Sequence, residues 1–283
     1  MSDQKLDIGV VTDEVSPDLE QALTVSWKWD VRLFELREGS ENRFPYFTDR
    51  EARLVDEAIR NGAQITAVSP GILKGAVDNE DRLQKEIEEV LPRAIERARR
   101  FECPRVVVFG FSRHDDEPDD SRTRVLNAFE EVAEQAAAGD LTVAIENEPN
   151  FWVDRPNPTA TLLDELGHPA LTVNWDPANQ HWGGQRPTRE GFEALRSHIS
   201  NVHAKDYTPN DPDIPWRPIG DGITPWGKIL NWIIGDTDLS HITLETHCKP
   251  LIENSRMSLD RLQDLVEEAS VAVSQHESNP SSL

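Results

Sequence analysis

The sequence predicts an α/β chain folded as a single (β/α)8 barrel with eight parallel strands. Three observations carry that expectation. Eight short runs rich in Val, Ile, Leu and Thr recur through the 283 residues, separated by helical stretches. The repeat unit is about 35 residues, enough for one strand, one helix and their loops. The first strand is followed by TDEVSP, where an open doubly wound sheet would want a glycine-rich phosphate loop. Alternating β and α units imply a parallel sheet, and eight of them in this length favour closure.

The elements follow in order. DIGVVT (7–12) is the first strand. Ser16-Pro17 reads as a helix start, with Ser as N-cap and Pro at the first helical position. DVRLFELR (30–37) is the second strand and ends in Glu35 and Arg37. Thr48 and Glu51 have capping-box spacing before a helix that Gly62 stops. AQITAVS (63–69) is the third strand, and a long helix over 79–100 is expected to kink at Pro92. PRVVVFG (104–110) is the fourth strand, followed by an acidic loop over 115–120 that reads as solvated. A helix over 121–138 leads to the fifth strand, LTVAIE (141–146). Asn157-Pro158 begins a short helix before the sixth, ALTVNWD (170–176). HISNVH (198–203) is the seventh, and a proline-rich loop covers 206–223. Thr224-Pro225 starts the helix before the eighth strand, HITLE (241–245), and Ser258 opens the last helix, 258–275. One barrel domain is expected over 1–276, with a frayed tail over 277–283.

Composition narrows the function classes. The net charge of −23 produces a field that repels nucleic acid, so no nucleic-acid partner is expected. Lysine is scarce beside arginine, a balance that suits a salty cytoplasm. No run of 18 apolar residues is present, so no membrane span is expected. The opening residues lack the basic start and apolar core of a signal peptide, and a cytoplasmic location is expected. Cys103 and Cys248 form no ligand motif and are expected to be reduced and structural.

Four polar residues stand at the ends of the last four strands: Glu146, Asp176, His203 and Glu245. In a parallel barrel the active site lies at the C-terminal strand ends, so all four share one face. Asp13, Glu35, Arg37, Ser69 and Lys74 fall on that face too. A lone carboxylate at a strand end usually anchors a loop. Three carboxylates and one imidazole together suit one divalent metal ion, with Mn, Mg or Co the natural choices. Such a cation polarises a substrate carbonyl and stabilises an enediolate, while Glu146 and Glu245 serve as catalytic acid and base. Asp176 and His203 are then plain ligands. Glu148 is a substrate-side or ligand-supporting group. Arg37 either binds a polar substrate group or pairs with Glu35 or Glu14. Trp152, Trp182 and Trp216 are candidates for a pocket wall, against the commoner role of covering loops.

The ordered set of motifs resembles the xylose isomerase-like TIM barrel superfamily of sugar phosphate isomerases and epimerases. The motifs are IGVVTDEVS, FELR, VSPGILK, VVVFGFSR, AIENEP, NWDPAN, VHAKD, PIGDG and LETH, covering nearly the whole chain. The resemblance implies a metal held by Glu146, Asp176, His203 and Glu245, with the two glutamates as acid and base. It also implies a substrate contact at Arg217, and one at Lys205 within the family's HxKD, here His203 to Asp206. Family members often carry a histidine where this chain has Asn179, which is a substrate contact but a poorer ligand. His181 nearby reads as a loop histidine, and His247 reaches the site only if the strand persists. The expected reaction is isomerisation or epimerisation of a small sugar or polyol. A dehydratase of the inosose or dehydroshikimate kind is the alternative on the same site. A sugar-binding barrel without turnover ranks below both. The DNA-repair branch needs extra histidines on earlier strands, which ITAVSP lacks. Family members are often dimers or tetramers, so a homo-oligomer is compatible with the resemblance.

Overall fold

The computed structural model describes residues 6–278. Eight parallel strands close into a barrel. They are β1 (Asp7–Val11), β2 (Leu33–Leu36), β3 (Gln64–Val68), β4 (Arg105–Phe109), β5 (Thr142–Glu146), β6 (Leu171–Trp175), β7 (Ile199–Ala204) and β10 (His241–Leu244). A two-residue hairpin in the loop after β7 supplies β8 (Asp206–Tyr207) and β9 (Trp216–Arg217). The seam closes where β1 pairs with β10, Asp7 opposite His241 through Val10 opposite Leu244. No helix among the described residues is long and apolar enough to cross a membrane.

Alternation along each strand sorts the side chains into two cores. The main apolar core lies between the strands and the surrounding helices, and includes Phe34, Val106, Val108, Ile145 and Trp175. The barrel interior is different. Two residues below the site, Ala67, Val107 and Ala144 make a small apolar cluster of their own. Glu35, Asn174, Asn201 and Thr243 are buried with no exposure at all. Barrels usually fill this layer with bulky branched side chains. Here half of it is polar, and that half reaches the site.

Four helix boundaries differ from the sequence reading, each for a local reason. A single turn, α1 (Thr12–Val15), follows β1 directly, and α2 spans Leu19–Lys28. Asp18, not Ser16, caps α2 by accepting from the Gln21 amide at 2.7 Å. Ser16 instead accepts from the Asp18 amide and donates to the Gln21 side chain. The helix expected over 79–100 is α4 (Glu80–Lys85), a π-turn (Glu86–Val90) and α5 (Leu91–Arg100). Pro92 lies in the first turn of α5, where its missing N–H is absorbed beside the widened turn. The helix before β6 is α7 (Pro156–Leu166), with Arg155 at the N-cap position; α6 (Ser121–Ala138) precedes β5. The last helix begins at Leu251 and runs to Ser278. Ser258 is buried within it, and its hydroxyl accepts from the Ile219 amide at 3.2 Å. The rest of the expected tail, 279–283, lies outside the described residues.

Other expectations hold. Between β2 and β3, α3 (Asp49–Arg60) opens with a complete Thr48–Glu51 capping box. Gly62 follows it at φ +99°, a left-handed conformation that suits glycine. Both cysteines are buried and unpaired, and burial pushes each thiol up to about 12. Removing the cap oxygen should be measurable. Thr48→Ala is expected to destabilise the protein by about 1 kcal/mol in denaturant unfolding, without changing the far-ultraviolet spectrum.

Candidate metal centre

The four strand-end residues converge. One ligand-type atom from each of Glu146, Asp176, His203 and Glu245 lies within 4.8 Å of all the others. None of the four is more than 4% exposed. Register explains the meeting: β5, β6, β7 and β10 are consecutive around the barrel, and Thr243 of β10 sits opposite His203 of β7.

His203 is oriented from behind. Its Nε2 lies 2.9 Å from Glu35 Oε2. Its Nδ1 faces inward, 3.4 Å from both Glu146 Oε1 and Glu245 Oε2, and makes no hydrogen bond. Burial would lower the imidazole pKa, but the charges of Glu35, Glu245 and Glu146 hold it well above its usual range. A buried nitrogen aimed at carboxylates, with its other nitrogen held by a carboxylate, is how a metal-binding histidine is built. The donor set therefore fits a divalent cation.

Asp176 is fixed through its backbone and one oxygen. Asn147 donates to the Asp176 carbonyl at 2.9 Å and accepts from the Asp176 amide at 2.7 Å. Asp176 Oδ1 caps α8 (Pro177–Trp182) by accepting from the Asn179 amide at 2.8 Å. Oδ2 faces the ammonium of Lys205 at 2.8 Å. Burial raises the Asp176 pKa, assisted by Glu146 and Glu245 and opposed by Lys205.

The other predicted residues divide into two groups. Lys205 is buried inside the site and also donates to Glu245 Oε2 at 2.9 Å. Asn179 donates to Glu146 Oε1 at 3.3 Å, so it supports a carboxylate. Glu148 sits at the edge, 3.6 Å from Lys74. Burial and the neighbouring Glu146 charge push its carboxyl up to about 7. Arg37 is engaged by Asp13, Glu14 and Glu245, the last two at 2.5 Å. It takes the structural alternative, with Glu14 rather than Glu35 as partner, and its contacts hold Glu245. Arg217 turns to its own hairpin, to Asp211 at 2.9 Å and to the Ile214 and Trp216 carbonyls.

Several residues were missed as site members. Glu35 and Asn147 orient His203 and Asp176. Asp206 organises the loop below Lys205: its carboxylate accepts from the amides of Tyr207, Gly220, Gly222 and Thr224. A Cβ on Gly222 would collide with that carboxylate, so glycine is required there. Trp216 packs against Lys205 with the ammonium 4.6 Å from the ring centre, and Trp182 meets Trp216 edge-on at 5.4 Å. Trp152 instead stacks with Arg113. His181 lies half-buried in α8 beside Tyr207. His247 does reach the site's edge, at φ +53°, with Nδ1 2.7 Å from Glu14 and Nε2 3.5 Å from Glu245. The expected signal for Glu35 was its two-residue alternation with Arg37 at a strand end.

Glu14 makes a pH test possible. Burial alone would raise its pKa, but His247 and Arg37 hold it at about 2, against 4.5 in the unfolded chain. A depressed carboxylate stabilises the fold fully above the unfolded value and loses that contribution as pH falls through the folded one. That difference corresponds to about 3 kcal/mol. Glu14→Gln is expected to flatten the acid-unfolding curve between pH 4.5 and about 2, followed by denaturant unfolding of metal-free protein.

Comparison with known proteins follows the same lines. A 3-dehydroshikimate dehydratase from Bacillus anthracis is 30% identical over 90 residues, which is 32% of this chain and 32% of that protein. The match thus spans about a third of that relative's length. The solved structure of a probable 3-DHS dehydratase involved in petrobactin synthesis, also from Bacillus anthracis, superposes with a TM-score of 0.76 at 18% identity. It covers 91% of this chain and 99% of that one. An L-ribulose 3-epimerase superposes with a TM-score of 0.78 at 14% identity, covering 95% and 97%. At such identities the structural likeness speaks for the fold. The model of the xylose isomerase-like TIM barrel family matches residues 28–269, most of the sequence, and this chain belongs to that family.

Proposed function

We propose that the protein is a divalent-metal-dependent isomerase or epimerase of a small sugar or keto-polyol. The observation that carries this reading is the buried convergence of Glu146, Asp176, Glu245 and the inward Nδ1 of His203. These four residues would hold the cation, with Mn, Mg or Co suited to an oxygen-rich set. When bound, it supplies Lewis-acid polarisation of a substrate carbonyl.

The remaining chemistry belongs to the chain. Glu146 and Glu245 come from strands on different sides of the site and are placed to exchange a proton with the carbon beside that carbonyl. Their surroundings differ, as acid–base partners require. Glu245 lies against Arg37 and Lys205; burial would raise its pKa, but Lys205, His247 and His203 hold it well below the carboxylate range. Among the described residues, Glu146 meets the Asn179 amide and the edge of His203. Trp216 and Trp182 form an apolar wall beside Lys205 on which a sugar face can rest. Lys205, Asn179 and Glu148 supply polar contacts to hydroxyls. The chain's acidity and the lack of extra histidines on early strands argue against a nucleic-acid substrate.

A dehydratase is the second reading, favoured by the similarity to the Bacillus dehydratase and by the clamp on Glu245. Here Glu146 takes the proton, a C=C bond forms, and the β-hydroxyl leaves with a proton as water. Incubation with keto-polyols in deuterated buffer separates the two. Solvent deuterium in recovered or epimerised product supports the first reading, and an absorbing enone supports the second. Chelator treatment is expected to abolish either activity, and added Mn or Co to restore it. Glu146→Gln should lower turnover by about 100- to 10,000-fold. Unchanged activity in that variant would remove Glu146 from the proton transfer, and binding of keto-polyols with no turnover by the unsubstituted protein would leave a binding barrel as the better account.

A further inference from the structure

The polar half of the barrel interior forms a chain that begins at the mouth opposite the site. Arg105 opens β4 at that end. Its guanidinium donates to the Ser200 carbonyl and, at 3.4 Å, to Oδ1 of Asn201. The Asn201 amide donates through Nδ2 to Glu35 Oε2 at 3.3 Å. The same oxygen faces His203 Nε2 at 2.9 Å. On the far side of that ring, Nδ1 looks at Glu146 and Glu245.

Each link allows one polarity. A guanidinium only donates, so it takes the carbonyl oxygen of Asn201 and leaves the amide hydrogens for Glu35. A carboxylate only accepts, so it keeps a hydrogen on His203 Nε2. With that hydrogen kept on Nε2, Nδ1 is the nitrogen left to offer a lone pair toward the other three site residues whenever the ring is neutral. Charge balance agrees. Among the described residues, Arg105 has no carboxylate within ion-pair distance, and Glu35 has no cation other than His203. Burial pushes the Arg105 guanidinium down, and Glu35 is among the groups that oppose it. Asn201, with no exposed surface, is the one side chain among the described residues that hydrogen-bonds to both.

We propose that Arg105 and Asn201 are positioning residues for His203, acting through Glu35 to set which nitrogen is offered to the metal. The proposal rests on the metal reading above. Two measurements keep the two ideas separable: cobalt affinity by calorimetry, and the His203 Nε2–H resonance in metal-free protein labelled at histidine nitrogen. The resonance is assigned with His203→Gln. Losing an outer partner of a metal ligand weakens binding about 10- to 100-fold. Asn201→Ala and Arg105→Met are expected to weaken cobalt binding by about 10-fold, the low end because they act one or two links away. They should also shift the Nε2–H resonance and speed its exchange with solvent. Arg105→Lys keeps a donor and a charge, and should recover most of both signals. It also carries the test with Asn201→Ala if Arg105→Met fails to fold. A lower melting temperature with unchanged resonance and cobalt affinity would overturn the proposal and leave Arg105 as a plug of the barrel mouth. Absence of cobalt binding in the unsubstituted protein would refute the metal reading, while the resonance would still decide the chain.

Discussion

Burying several carboxylates side by side is the constraint around which this barrel is arranged. Glu35, Glu146, Asp176 and Glu245 are each at most 4% exposed. Removing one ion from water carries a penalty of several kcal/mol unless opposite charge and hydrogen bonds replace the lost hydration. Lys205, Arg37 and His203 provide the opposite charge, and Asn179, through its backbone and side-chain amides, and Asn201 provide hydrogen bonds. A divalent cation fits the same logic, since it would face His203 Nδ1, which makes no hydrogen bond.

The charge network also closes the molecule. Arg37 leaves the end of β2 and grips Asp13 and Glu14 from α1 and Glu245 from the end of β10. Those segments flank the seam where the beginning and end of the barrel sheet meet. His247 and Glu14 add a second tie across it, at 2.7 Å. Site geometry and barrel closure are thereby coupled: a change that loosens Arg37 disturbs Glu245 and the seam together. The polar interior layer has a similar double character. It gives up the tight branched packing usual in such barrels, and in return supports His203 from below.

Much of this was legible in the residues. Short β-branched runs at a regular repeat identify parallel strands, and their polar terminal residues identify the face that carries chemistry. That reasoning found Glu146, Asp176, His203 and Glu245, with Glu148 two residues beyond the first, while Lys205 and Asn179 came from the family resemblance. It was less successful with helix boundaries, because Ser16, Asp18, Asn157 and Ser258 are all chemically able caps. The oxygen that finds an amide depends on backbone angles that composition does not specify. It also left Arg37 open, since an arginine at a strand end suits a substrate and a carboxylate equally.

The sequence by itself determined the barrel, the order of its strands and the four residues at the centre, because periodicity and strand-end position are local properties of the chain. Only the tertiary structure decided which charges meet. Glu35 and His203 are 168 residues apart, Arg37 and Glu245 are 208 apart, and Arg105 and Asn201 are 96 apart. Electrostatic partners are chosen by distance in space, and the closing of the sheet sets those distances.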